Sequence, residues 1–184
     1  MKQLRCAVFM ACTFLTACGP SESDLSVLGR AQRIQENAPV KASAQVVINA
    51  PVGRVWEILT AIPNWPHWQH DVSSATLDGS FKEGVAFTWT TGGSRIQSRL
   101  VLVKPERAVV WTGRASIAKA VHVLTLTAVA PGETIVRSNE SMDGFMLPWF
   151  YSSADLQISE ETLLENLKSA AEFHAARASE STGH

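Results

Sequence analysis

A single long helical stripe closes a series of short β-patterned runs, and this order constrains the fold more than any other feature of the chain. After Pro148, apolar residues fall at Leu156, Leu163, Leu164, Leu167, Ala170 and Ala171. That spacing makes one face of a long helix, with Glu160, Glu161, Glu165 and Lys168 expected off it. Ahead of the stripe, Ala44 to Ile48 is a β-branched run and reads as a strand. Val52, Val55, Trp56 and Leu59 repeat at helical spacing behind Pro51, which suits a helix start because its missing N–H needs no partner there. This short helix is expected to end before Pro63, and Pro66 bars regular helix across Asn64 to Trp68.

The middle of the chain is strand-rich. Val85 to Thr91 and Ile96 to Val103 flank Gly92-Gly93, a pairing that predicts a hairpin. Ile96, Ser98, Leu100 and Leu102 alternate with Arg95, Gln97, Arg99 and Val101, so the first set is expected to face inward. Residues 108–113, 121–129 and 134–139 read as further strands. The expected class is α+β: a curved antiparallel sheet with helices on one side. A space left between sheet and helix would be a ligand site.

The first residues have a different character. Lys2 and Arg5 precede an apolar run from Cys6 to Leu15, followed by Leu15-Thr16-Ala17-Cys18 and Gly19-Pro20. A basic head, a short apolar core and small residues at its end mark an export signal. The run is far below the ~20 residues of a spanning helix. The Leu-Thr-Ala-Cys tetrapeptide resembles the lipobox of bacterial lipoproteins, which implies cleavage before Cys18 and a lipid on it. Gly19, rather than Asp, follows the Cys. By the same resemblance this places the protein in the cell envelope, at the outer membrane facing the periplasm. The expected division is a signal peptide over 1–17, a membrane-proximal spacer over 18–41 with a short helix across Leu25, Leu28 and Gln32, a domain over 42–176, and a frayed tail over 177–184.

Removing the leader leaves 14 basic against 17 acidic residues, a formal charge of about −3. No basic stripe remains, so nucleic acid is not an expected partner. All three cysteines lie at or before Cys18, so the domain has neither a disulfide nor a thiolate metal ligand. No phosphate loop, dinucleotide fingerprint or nucleophile elbow is present. His67 and His70 lack the i, i+4 spacing of a zinc pair, and neither a metal nor another cofactor is expected.

Several motifs occur in a telling order: Ile48-Asn49-Ala50-Pro51, Val55-Trp56, Trp65-Pro66-His67-Trp68, Gly79 and Gly84, Trp111-Thr112-Gly113, His122-Val123 and Ser138-Asn139-Glu140-Ser141. Over about residues 42–175 the chain resembles the polyketide cyclase/dehydrase and lipid-transport family of the START-like, or SRPBCC, superfamily. The resemblance implies a helix-grip fold, in which a curved antiparallel sheet wraps a long C-terminal helix around a hydrophobic pocket. It also implies a small hydrophobic or lipid-like ligand, or a cyclisation or dehydration activity. The export leader departs from the usual member and argues against cytoplasmic polyketide assembly.

Within that frame His122, Leu124 and Leu126 share one strand face, and Glu140 is placed to meet them. A His and a carboxylate in an apolar cup have displaced pKa values and can move protons. The alternative is a core histidine whose nitrogens are satisfied by backbone or by Glu140. The residues expected to bind ligand are Trp68, Phe87, Trp89, Leu100, Trp111, Leu124, Phe145 and Leu164. Met142 to Phe150 is an apolar loop that reads as a gate, a lipid-touching patch or an ordinary packed loop. Three functions stay open: an envelope-anchored binder of a small hydrophobic molecule, a lyase or cyclase using His122 and Glu140, and an envelope interaction protein.

Overall fold

The computed structural model describes residues 20–181, with side chains described through residue 173. The expected leader and Cys18 lie outside the described residues. Seven strands form one antiparallel sheet: β1 (Val40–Ile48), β2 (Val72–Leu77), β3 (Ala86–Thr91), β4 (Ser94–Lys104), β5 (Ala108–Arg114), β6 (Lys119–Ala130) and β7 (Glu133–Asp143). Their order across the sheet is β1-β7-β6-β5-β4-β3-β2, so consecutive β1 and β2 occupy opposite edges. The link between them contains α2 (Val52–Thr60) and a 3₁₀ turn (Ile62–His67) with Pro66 inside it. The long helix α4 (Ser153–Ser181) fills the hollow of the curved sheet and follows the one-turn helix α3 (Leu147–Phe150). The expected frayed tail is thus helical as far as Ser181. No helix among the described residues is long and apolar enough to cross a membrane.

The β3–β4 hairpin forms as its glycines dictate. Gly92 and Gly93 have φ of 52° and 76°, a left-handed pair open to glycine at no steric cost. The main core lies between the sheet and the helices. Val46, Ile48, Phe87, Leu100, Val109, Trp111, Leu124, Leu126 and Val136 meet Val55 and Leu59 of α2 and Leu164, Leu167 and Ala171 of α4.

Two expectations about sidedness change. First, helices lie on both faces. α1 (Glu22–Arg30), inside the expected spacer, packs Leu25 against Val101, Val110, Val121 and Val123 on the outer face. Burying such a leucine is worth about 1.5–3 kcal/mol. This double coverage explains why β6 is buried on both sides from Ala120 to Leu124. Second, Leu102 does not share the inner face with Leu100. A β-bulge between Leu100 and Leu102 resets the register, so Val101 and Leu102 both join the outer cluster under α1 and Val103 returns to the inner face. β2 was not expected. It is a largely exposed edge strand of Val-Ser-Ser-Ala-Thr-Leu with little apolar pattern.

Candidate functional site

The inward positions of β6 and β7 change chemistry partway along. On β6 they run Leu126, Leu124, His122, and on β7 Val136, Ser138, Glu140. Antiparallel register puts His122 opposite Glu140, with Trp111 of β5 on its other side. The imidazole and the Trp111 ring lie 4.6 Å apart between centroids. From α4, Glu160 projects into the same place with only 2% of its surface exposed.

These groups form a connected network. His122 Nε2 is 2.6 Å from Ser138 Oγ and 3.2 Å from Glu160 Oε2. The Ser138 hydroxyl donates to the Glu160 carboxylate. His122 Nδ1 faces Glu140 Oε2 at 3.7 Å, and the Glu140 and Glu160 carboxyl groups lie within 4.8 Å of each other. Burial opposes charge on His122, but Glu160 and then Glu140 outweigh it and raise the imidazole to about 9. For Glu140, burial is the main cause of a rise to about 8; His122 opposes it and Glu160 adds to it. Burial also acts against Glu160, yet the His122 charge and the bonds from His122, Glu140 and Ser138 hold its carboxyl below the ordinary range. At neutral pH the cluster therefore holds an imidazolium, one carboxylate and one carboxylic acid, with no net charge.

This cluster lines a partly open cavity of about 140 Å³ between sheet and α4, together with the polar Gln69, Asp71, Ser98 and Arg114. Trp89, Ile96, Trp111, Met142, Leu156 and Leu163 supply much of its apolar lining. Tyr151 stands at the wall with its hydroxyl 2.8 Å from Ser159 Oγ, and burial raises its pKa. Donor atoms of His122, Glu140 and Glu160 lie within 4.8 Å of one another, so this trio is also the group able to offer a cation three ligands.

The expected ligand-binding residues separate into three places. Trp89 and Trp111 line the cavity. Phe87, Leu100, Leu124 and Leu164 are wholly buried in the core instead, because α2 and the Trp65 ring fill the deep end of the cup. Trp65 stacks within 5.6–5.8 Å of Trp89, Phe87 and Trp111 and donates from Nε1 to the Leu59 carbonyl at 2.9 Å. Trp68 packs partly on the core beside α2, and Phe145 stands out in solvent. His67 and His70 are exposed, and neither belongs to the clustered trio.

Of the proton-handling pair, His122 and Glu140 do meet. Glu160 and Ser138 complete the network and were missed. Glu160 was expected off the helical stripe, but it lies four residues after Leu156 and four before Leu164, on the buried face. That spacing was the available signal.

A family model described as polyketide cyclase / dehydrase and lipid transport matches residues 39–172. A hypothetical protein from Helicobacter pylori has a similar structure, with a TM-score of 0.67 at 12% identity over 74% of this chain and 90% of that one. A START superfamily protein from Mycobacterium smegmatis gives 0.60 at 10% identity over 75% and 98%. The di-domain ARO/CYC StfQ from the steffimycin biosynthetic pathway gives 0.61 at 16% identity over 74% of this chain and 46% of its own. At such identities the likeness shows the fold alone, a helix-grip arrangement. Among curated proteins, none matches this chain in sequence.

Proposed function

This chain belongs to the polyketide cyclase/dehydrase and lipid-transport family, and we propose that it is an exported domain, tethered through a lipid on Cys18, that binds a small hydrophobic molecule between its sheet and α4. The observation that carries this reading is the cavity, in which aromatic and aliphatic side chains are joined by the His122 cluster and by Gln69, Asp71, Ser98 and Arg114. Its volume of about 140 Å³ is close to the ~150 Å³ of an engineered apolar cavity that takes up benzene. The ligand is accordingly a molecule of single-ring size or a short hydrocarbon segment, carrying one oxygen for the His122 cluster. The tether rests on the order of Lys2, Arg5, the apolar run and Leu15-Thr16-Ala17-Cys18. With Gly19 next, the address is the outer membrane, facing the periplasm.

Native mass spectrometry of the detergent-extracted protein should show a small apolar adduct, and phenol should change the emission of Trp89 and Trp111. A protein that is always empty and takes up neither fatty acids nor phenol sinks the binding reading.

The second reading is a lyase or cyclase. It is favoured by Glu140, a carboxylic acid kept protonated beside an imidazolium at the cavity wall. Glu140 would give its proton to a carbonyl or a leaving hydroxyl, and the charges on His122 and Glu160 would hold the neighbouring field fixed. Once a turnover is found, Glu140→Gln should reduce kcat by about 100-fold or more. Unchanged turnover in Glu140→Gln and His122→Ala rules the enzyme reading out.

A further inference from the structure

Large apolar side chains stand out together at one end of the domain. Phe145, Trp149 and Phe150 are 87%, 78% and 71% exposed, and Ile117 on the neighbouring β5–β6 loop is 48% exposed. Their base is well packed. Leu147 is buried beside Val40, Ala42, Ala118 and Leu156. Gly144 lies so close to the Ile117 carbonyl that a Cβ would collide with it. The rings are therefore held outward from a fixed platform, and an exposed apolar patch of this kind marks a contact surface.

The path of the chain indicates what covers it. Pro20 shares a surface groove with Ile117, Lys119 and Phe145, and Lys119 Nζ donates to its carbonyl at 3.3 Å. The helix that follows is fixed on the sheet through Leu25. Two peptide steps separate Pro20 from Cys18. At ~3.8 Å per step, the two Cα atoms are within about 8 Å of each other. A lipid on Cys18 is thus held within short reach of the groove that Pro20 shares with Phe145.

We propose that the end of the domain bearing Ile117, Phe145, Trp149 and Phe150 rests in the interfacial layer of the membrane that holds the Cys18 lipid. The inference rests on the tether reading above. The partner is a phospholipid surface, because Trp and Phe rings suit the boundary between headgroups and acyl chains; Arg114 and Lys119, which line the groove with Asp143, are already engaged with Glu22 and the Pro20 carbonyl. Arg114, Ala115 and Ala118 line both this groove and the cavity under α4. The groove and the cavity are therefore neighbours, separated by these three residues.

The test uses full-length protein purified from membranes. Mass spectrometry first reads the acylation of Cys18. The protein is then reconstituted into phosphatidylethanolamine/phosphatidylglycerol vesicles with acyl chains brominated near the headgroup, and quenching of tryptophan emission is compared with Trp149→Phe. An acylated Cys18 with quenching that falls by more than half in the variant supports the docking. An acylated Cys18 with equal quenching in both proteins overturns the docking and leaves the tether intact. An unmodified Cys18 overturns both. Phe145→Ser/Phe150→Ser, whose altered side chains are exposed and leave the core untouched, should retain the fold by circular dichroism and show weaker Trp149 quenching.

Discussion

The two ends of the cup are built from the same strands, yet one is hydrocarbon and the other ionic. At the deep end Leu124, Leu126, Val136 and Leu164 pack with Trp65 and Phe87. A single inward step leads from Leu124 to His122 on β6 and from Val136 to Ser138 on β7, a second reaches Glu140, and one turn of α4 leads from Leu164 to Glu160. The deep end contributes by apolar burial, at about 25 cal/mol per Å². The ionic end contributes little net stability, because desolvating two charges offsets most of their attraction. Its persistence beside a cavity is better explained by a task than by folding.

The largest effect should come from removing one charge of the cluster. Glu160→Ala leaves only the more distant Glu140 to balance the imidazolium and removes the acceptor of Ser138; it should cost about 3–5 kcal/mol in denaturant unfolding. Leu164→Ala, one turn along, should cost a similar 2–5 kcal/mol through a cavity. Equal costs with different causes are separated by pH, since only the first should vary with it.

The pH dependence is next in size. His122 is raised to about 9, so its contribution is complete below its ordinary 6.5 and disappears as pH rises through 9. Glu140 is raised to about 8, while in the unfolded chain it ionises from about 4.5. The folded chain holds the extra proton between those values, and rising pH favours unfolding there too. Glu160 is lowered, and its contribution is lost as pH falls below the ordinary carboxylate range. Stability should therefore peak in mild acid and fall by at least about 1 kcal/mol per pH unit between 7 and 8. A flat profile over that interval would contradict the protonation states described.

Ser138→Ala should cost about 1–3 kcal/mol, because it removes a donor to the buried Glu160 carboxylate. The smallest change should come from His122→Leu/Glu160→Leu, which converts the ionic end to the chemistry of the deep end. It should unfold within about 1 kcal/mol of the parent, or later than it, while losing ligand uptake. A loss equal to that of Glu160→Ala would instead make the cluster a folding element.

Most of the fold was legible because its strands are β-branched runs bounded by turn residues, alternating in β1 and continuously apolar in β5, and because one stripe marks α4. What escaped did so for physical reasons. β2 is a polar edge strand with little pattern to read. Leu102 changes face at a bulge that leaves no mark in composition. α1 looks polar because only Leu25 and Gly29 of it are buried. His122 and Glu140 could be paired from strand parity, whereas Glu160 required trusting helical spacing over the usual preference of glutamate for water. The extent of the cavity was not legible, since it depends on how far Trp65 and α2 fill the cup.

The sheet order also has a consequence in time. β1 sits at an edge and pairs with β7, joining Val40 to Met142 across about a hundred residues. The β3–β4 and β6–β7 hairpins close short loops and can form early, but β1 waits for nearly the whole chain to be made. The first strand synthesised is thus among the last to be paired.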